Sequence, residues 1–144
     1  ARVVITQLIQ DLRYRLGESL AGRLDVRIDP EVPVVQLPAE PLRQALIALL
    51  RNAFDASSPH QRVRLHLAAN DGFRADVIDD GCGMSADAVA RAGEPFFTTK
   101  PAGAGLGLGL FLVRAFAEQM GGTLHLQSVP GAGTAATLRL PARH

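Results

Sequence analysis

The glycine-rich segment over residues 103–109 constrains the fold of this chain more than any other segment. Its glycines alternate with alanine or leucine, at Gly103, Gly105, Gly107 and Gly109. Glycine lets the backbone approach a ligand closely, and the helical pattern that follows adds the partial positive charge of a helix N-terminus. Together these features predict an anion site, and phosphate is the expected anion. Taken alone, the same run is also typical of a flexible loop.

Length and composition indicate one globular domain. The 144 residues are 47% hydrophobic and 20% charged, which is enough for a substantial core. The net charge of +1 shows no bias toward nucleic acid or a membrane surface, and the longest apolar run, 102–113, is too short to span a bilayer. The single cysteine, Cys82, excludes an internal disulfide and fits a reducing cytoplasm, where we expect the domain to act. Because the first residue is not Met, we expect residues 1–144 to be a fragment of a longer protein.

Hydrophobic periodicity predicts three main helices and six strands. The helices are expected over residues 5–21, 41–56 and 108–120, with a short helix near 86–91, and residues 1–4 lead into the first helix. The strands are expected over residues 24–29, 34–37, 62–69, 73–79, 123–128 and 134–140. This order predicts a two-layer α+β sandwich, in which the three main helices cover one face of a mixed, mostly antiparallel sheet.

Two common nucleotide-binding motifs are absent from the sequence. It contains no G-x-x-x-x-G-K-[ST], which excludes a P-loop, and no G-x-G-x-x-G, which argues against a dinucleotide fold. The histidines also lack the spacing of a metal site, at His60, His66, His125 and His144.

Asn52 lies late on the predicted long helix, on the same face as Ala48 and Asp55. If that face borders a phosphate site, the amide oxygen of Asn52 is a hard ligand of the kind that Mg²⁺ prefers. Taken alone, an asparagine near a helix end more often bonds to nearby backbone.

A turn of sequence Asp79-Asp80-Gly81-Cys82-Gly83 ends one predicted strand. Its glycines allow the backbone to lie against a flat ring, and a carboxylate there accepts a hydrogen bond from an adenine amino group. An ordinary strand-ending turn has the same composition. The later segment over residues 131–134, Gly-Ala-Gly-Thr, is likewise a common hairpin turn.

The segment Phe96-Phe97-Thr98-Thr99-Lys100 precedes the glycine run. Lys100 is the only lysine of the chain, and its compact ammonium group suits a terminal phosphate. The two phenylalanines are consistent with residues that anchor a mobile loop. They are equally consistent with a packed aromatic pair beside a solvated lysine.

Five segments occur in the order of the N, G1, F, G2 and G3 boxes of the histidine-kinase catalytic ATP-binding domain. They are Asn52 and residues 79–83, 96–97, 103–109 and 131–134. From about residue 5 to residue 141 the chain therefore resembles this domain, which belongs to the ATPase superfamily of DNA gyrase, Hsp90, histidine kinases and MutL. The glycine run is also similar to that of the redox-responsive RegB/PrrB sensors.

The resemblance implies a Bergerat fold that holds Mg²⁺-ATP between its helices and its sheet. It implies that Asn52 binds Mg²⁺ and that Asp79 reads adenine. It further implies that Gly81 and Gly83 line the base, that Thr134 supports the base through water, and that residues 93–107 form a flexible lid. The remaining ATP-binding positions that it implies are Asp55, Lys100, Gly103, Gly105, Leu106, Gly107 and Leu108.

Ala48 stands where gyrase-type ATPases carry a glutamate that activates water, and alanine cannot act as a base. No histidine lies in an H-[ED]-x-x-x-P box, so the phosphate-accepting histidine is expected upstream in the parent protein or in another chain. The resemblance thus implies the catalytic part of a two-component sensor kinase. Its expected partners are an upstream dimerisation and histidine-phosphotransfer domain and a response regulator, and its parent is expected to be a homodimer. That parent is compatible with an anchor in the inner membrane, although this domain itself is expected to make no direct membrane contact.

Three alternatives differ in chemistry. A gyrase- or Hsp90-type ATPase is disfavoured by Ala48 and by the short length. An anti-sigma-factor serine kinase fits the length, but that group generally carries a glutamate base near the Mg²⁺-binding asparagine. A non-catalytic nucleotide-sensing module would be a degenerate kinase, whereas all five boxes are intact here. In the full gene, an upstream H-box helix would favour the histidine kinase, and a start codon just before residue 1 would favour the anti-sigma kinase.

Overall fold

The computed structural model describes residues 2–30, 34–69, 72–94 and 109–141. The helices in these ranges are α1 (Ile5–Leu16), α2 (Glu18–Ala21), α3 (Ala39–Ala56), α4 (Ala86–Arg91) and α5 (Gly109–Gln119). The strands are β1 (Arg2–Val4), β2 (Leu24–Ile28), β3 (Val34–Gln36), β4 (Val63–Ala68), β5 (Phe73–Asp79), β6 (Thr123–Val129) and β7 (Gly133–Leu140). Within these parts of the chain, none of the helices has the length and hydropathy that a bilayer crossing requires.

Five strands form the main sheet in the order β2-β4-β5-β7-β6. β2 pairs in parallel with β4, and every other neighbouring pair is antiparallel. The predicted mixed, mostly antiparallel sheet is therefore confirmed. The parallel pair arises because α3 lies between β2 and β4 in the chain, and a helical crossover returns the second strand in the same direction.

The core lies between this sheet and the main helices. Alternate residues of β5 are buried on the helix-facing side because side chains of a strand point to opposite faces. α3 packs against β4, β5 and β7, while α5 packs against β6 and β7, and α1 packs against α3. The buried leucines of α3 follow the helical period, at Leu42, Leu46, Leu49 and Leu50. Each contributes about 1.5–3 kcal/mol through burial of its side chain, so the core holds α3 firmly over the sheet.

The predicted end of the first helix is wrong. The helix α1 ends at Leu16, whereas the sequence pattern predicts a helix that continues to residue 21. Gly17 adopts φ +89°, in the left-handed region that glycine tolerates, and its N–H donates to the Arg13 carbonyl. The short helix α2 then turns the chain toward β2.

The residues that lead into this helix also form a strand, which the periodicity does not predict. Arg2–Val4 form β1, which pairs with β3 in a separate two-stranded antiparallel sheet. The register aligns Val3 with Val35, and both side chains are buried. A three-residue strand gives too few alternations to be recognised in a sequence.

Candidate functional site

Three adjacent strands carry a polar residue at the same end of their helix-facing side. Asp79 of β5 is the cross-strand partner of Thr134 of β7, which in turn is the partner of Ser128 of β6. The next positions along the same face of each strand are apolar, namely Val77, Leu126 and Ala136. Asp79 is 4% exposed and Thr134 is 8% exposed, and among the described residues these two are the only buried polar ones. The sequence motifs predict a role for both residues, and the structure brings them together.

The carboxylate of Asp79 is held by backbone amides. The Gly81 N–H donates to Asp79 Oδ1 over 2.9 Å. Burial raises the pKa of Asp79, and the neighbouring charge of Asp80 acts in the same direction, whereas the backbone N–H groups of Gly81 and Thr134 oppose the rise. In the described part of the chain, no arginine or histidine forms an ion pair with this carboxylate. A buried carboxylate that is held by backbone N–H groups without a cationic partner destabilises the folded state. A residue that is kept despite this cost is typical of a functional position.

The turn after Asp79 is packed tightly against the end of α3. A Cβ atom at Gly81 would collide with the carbonyl of Ala56, so only glycine fits. The Cys82 N–H donates to that same carbonyl over 3.0 Å, and the Cys82 carbonyl accepts from the Gly131 N–H over 2.7 Å. The two predicted glycine turns are therefore joined by a hydrogen bond.

Gly83 and Gly133 also lie where a side chain would collide with neighbouring backbone. Gly83 has φ +69° and lies against the backbone of Val129, while Gly133 has φ +96° and lies against the backbone of Asp79. Protein packing alone thus explains why both are glycine. The role of Gly83 beside an adenine ring stays a prediction.

Asn52 lies on α3, one helical turn before the contact between Ala56 and the Asp79 turn. Four residues of α-helix span roughly 6 Å. The Asn52 side chain is half-buried, and within the described residues nothing forms a hydrogen bond to it. Ala48 is half-buried and Asp55 is exposed on the same helix.

The chemistry of Asn52 fits a Mg²⁺ ion that is held mainly by phosphate and water. No group of three or more His, Cys, Asp or Glu side chains that could hold a metal occurs among the described residues. Mg²⁺ bound to a nucleotide needs only one or two protein oxygens, since it keeps several water ligands. The amide oxygen of Asn52 can supply one of them.

The phosphate-facing predictions lie outside the described residues. They concern Phe96, Phe97, Lys100, Gly103, Gly105, Leu106, Gly107 and Leu108. The described residues before and after residues 95–108 contact each other, because Gly93 packs against the Arg114 side chain of α5. The helix α4 before them is capped by Ser85, whose Oγ accepts from the Ala88 N–H over 3.1 Å.

Ser128 is a polar residue of this region that the sequence analysis missed. Its Oγ accepts from the Met84 N–H over 2.7 Å and lies 2.8 Å from Thr134 Oγ1. It also donates to the Gly133 carbonyl over 3.0 Å. The alternation of β6 contained the signal, because Ser128 occupies a helix-facing position after Leu124 and Leu126, where an apolar residue is expected.

Comparison with known proteins identifies the family. The sequence model described as histidine kinase-, DNA gyrase B-, and HSP90-like ATPase matches residues 38–144. The chain is 48% identical over 97 residues to the sensor protein kinase FleS of Pseudomonas aeruginosa, covering 67% of this chain and 24% of that protein. It is 36% identical over 111 residues to the sensor histidine kinase ZraS of Escherichia coli K12, covering 76% of this chain and 23% of that protein. The chain spans about a quarter of the length of these relatives.

Solved structures share the whole fold. The chain resembles the mycobacterial sensor histidine kinase MprB with a TM-score of 0.83 at 27% identity, covering 99% of this chain and 97% of that one. It resembles full-length ShkA in complex with AMPPNP with the same TM-score and identity, covering 99% of this chain and 31% of that one.

Proposed function

Since the chain belongs to the histidine kinase-, DNA gyrase B-, and HSP90-like ATPase family, we propose that it is the catalytic ATP-binding domain of a two-component sensor histidine kinase. In this proposal, residues 1–144 bind Mg²⁺-ATP and present its γ-phosphate to a histidine on an upstream dimerisation domain. The phosphate then passes to a response regulator, and the parent protein acts as a homodimer. The similarity to sensor kinases over most of the chain supports this proposal.

The observation that carries the proposal is the buried carboxylate of Asp79. It lies at the end of β5 with the Gly81 N–H donating to one oxygen, so the carboxylate keeps lone pairs for a further donor. The exocyclic amino group of adenine is a donor of the right kind. Because burial makes the charge of Asp79 costly, a role in ligand recognition explains why it is present.

The residues assigned to the phosphate end of the site have predicted roles only. We propose that Asn52 contributes an amide oxygen to Mg²⁺, and that Asp55, Lys100 and Gly103 help to hold the nucleotide. The backbone N–H groups of residues 105–108 would face the phosphates at the N-terminus of α5. When bound, Mg²⁺ neutralises negative charge on the phosphates, which phosphoryl transfer requires.

Ala48 directs the chemistry away from hydrolysis. Its methyl group cannot accept a proton from water, so this face of α3 offers no base at that position. In the proposed transfer, a nitrogen of the acceptor imidazole attacks the γ-phosphorus and the bond to the β–γ bridging oxygen breaks. ADP leaves, and the imidazole proton passes to a base beside the acceptor histidine, outside residues 1–144.

Phosphotransfer from labelled ATP tests the proposal. Residues 1–144 alone should bind ATP but transfer little phosphate and release little inorganic phosphate. Adding the upstream helical domain of the parent protein should produce an acid-labile, alkali-stable phosphoprotein, as expected for phosphohistidine. Rapid release of inorganic phosphate by the domain alone would instead indicate an ATPase. Acid-stable phosphoserine on a separate protein would indicate a serine kinase.

A further inference from the structure

Arg139 of β7 is an exposed arginine on the sheet face opposite the helices. Its side chain forms no ion pair or hydrogen bond within the parts of the chain that the structure describes. Three other basic residues of this face each lie within 3.2 Å of a carboxylate, namely Arg64 beside Asp80, His66 beside Asp29 and Arg74 beside Asp76. The charge of Arg139 is therefore not balanced by a described neighbour.

The register of the sheet places Arg139 between Arg74 and Thr123. Arg74 of β5 is its directly opposite partner on one side, and Thr123 of β6 is its partner on the other. Directly opposite residues have Cβ atoms about 4.5–5.5 Å apart, and like charges at that spacing destabilise a sheet. This row of three residues therefore brings together two guanidinium groups and one hydroxyl.

Asp76 does not neutralise both arginines of the row. Its Oδ2 atom lies 3.1 Å from Nε of Arg74 and 3.8 Å from Nδ1 of His66, and its Oδ1 atom accepts from the Thr137 hydroxyl over 2.7 Å. The buried Nε of Arg74 makes no hydrogen bond, so its contact with Asp76 is an ion pair only. Because two arginines share one carboxylate that has other neighbours, the row keeps a net positive charge.

A cavity of about 280 Å³ lies at this row. Arg74, Arg139 and Thr123 line it, together with Gly121 and Gly122, which have no side chains to fill it. Arg74 precedes Asp79 on β5 by five residues, which span roughly 17 Å of strand, and its side chain lies on the opposite face of the sheet. The cavity is therefore separate from the proposed nucleotide site.

We propose that Arg74 and Arg139 form a binding site for a small oxyanion, the phosphate or carboxylate group of a ligand. The planar guanidinium group offers paired N–H donors that match two oxygens of such a group. The Thr123 hydroxyl supplies a further donor at the edge of the same cavity. A bound oxyanion would balance the charge that Asp76 leaves uncompensated and would relieve the repulsion between the two strands.

Titration with inorganic phosphate, followed by the amide resonances of the ¹⁵N-labelled chain, tests this inference. Chloride is exchanged for phosphate at constant ionic strength, so that general screening stays the same. The resonances of Thr123 and Arg139 should shift along a saturable curve. Arg139→Gln should weaken this binding roughly tenfold, as expected for a lost hydrogen bond to a charged group.

Arg27→Gln is the matched control. Arg27 is likewise exposed on this face and has no ion pair among the described residues, but its cross-strand partner is His66 and not an arginine. Arg27→Gln removes the same charge and should keep the wild-type affinity for phosphate. If Arg139→Gln does not fold, Arg139→Lys serves the same test, because it keeps the charge but loses the planar fork.

Titration with acetate under the same conditions distinguishes the two kinds of oxyanion. Tighter binding of inorganic phosphate would identify a phosphate group as the ligand chemistry, and tighter binding of acetate would identify a carboxylate.

Three results would overturn the inference. The shifts at Thr123 and Arg139 do not saturate with either anion, or they occur only around Asp79, or Arg139→Gln and Arg27→Gln weaken binding equally. The last result would show that the anion responds only to the overall charge of this face. None of these results depends on ATP binding, so the proposed function is tested separately.

Discussion

The Nε2 atom of His66 lies 2.9 Å from Oδ1 of Asp29, on the sheet face opposite the helices. Asp29 follows the edge strand β2, and His66 lies on the neighbouring strand β4, so this contact helps to hold the edge strand. On the other side of the imidazole, Nδ1 lies 3.8 Å from Asp76, which also pairs with Arg74 and accepts from Thr137. His66 thus lies between two carboxylates.

The Asp29 contact predicts a pH-dependent loss of stability in Asp29→Asn. The hydrogen bond from His66 lowers the pKa of Asp29, so the carboxylate stabilises the folded state above the ordinary pKa of aspartate. That contribution is lost as the pH falls through the lowered pKa. Thermal unfolding should therefore show Asp29→Asn to be less stable than wild type near neutral pH, and the difference should shrink in acid. An equal difference at every pH would contradict the assignment to this charge.

Asp79→Asn should have the opposite effect on the protein without nucleotide. Burial raises the pKa of Asp79, so the contribution of this group is fully present below the ordinary pKa of aspartate and is lost as the pH rises through the raised pKa. Above the raised pKa the charged carboxylate therefore opposes folding, and in that pH range the neutral amide should raise the melting temperature. Asp80→Asn is the matched control, because that side chain lies on the same turn but is exposed. A lower melting temperature for Asp79→Asn would show that the hydrogen bonds of the carboxylate outweigh its desolvation.

Gly81→Ala should destabilise the domain by about 1–3 kcal/mol, the usual cost of overpacking. The added methyl would collide with the Ala56 carbonyl and would separate the turn from the end of α3. Gly109→Ala is the matched control, since no described atom lies within 4 Å of a Cβ there and its φ is outside the left-handed region. Because alanine favours a helix, Gly109→Ala should be neutral or stabilising. Urea unfolding of both variants checks the comparison, and equal losses would argue against the collision.

Asn52→Ala should remove the Mg²⁺ dependence of nucleotide binding while the domain stays folded. The half-buried amide is the proposed protein ligand of the ion, and no other hydrogen bond to it occurs within the described residues. Calorimetric titrations of ATP with and without Mg²⁺ measure the effect. If the affinity of Asn52→Ala for Mg²⁺-ATP equals that of the wild type, the ligand assignment is wrong.

Hydrophobic periodicity predicts most of the fold, because the buried positions of the helices and strands follow the helical and the strand period. The helix-facing positions of β5 are apolar until Asp79, and the buried face of α3 repeats at the helical period, so the sheet and its main helices were visible in the sequence. The break at Gly17 was not predicted, because the apolar spacing continues past it to Leu20. β1 was missed because three residues carry too little pattern.

The candidate site was predicted in part, and the family was confirmed. Motif and strand position together predict that Asp79, Gly81 and Thr134 share one region, and the structure brings them together, while their roles in binding ATP stay predictions. Ser128 could not be predicted from a motif alone, since its role depends on which strand lies beside β7 and in which register. Lys100 and residues 103–108 lie outside the described residues, so their contacts with phosphate stay predictions.

The affinity of ATP for the wild type, Asp79→Asn and Asp80→Asn tests the central claim most directly. If Asp79 reads adenine, its replacement should weaken ATP binding roughly tenfold or more, as expected for a lost hydrogen bond to a charged group. Asp80→Asn should bind like the wild type, because its exposed side chain pairs with Arg64 and not with the Gly81 amide. The account predicts that only Asp79→Asn loses affinity in calorimetric titration. Equal ATP affinity for wild type and Asp79→Asn would contradict it.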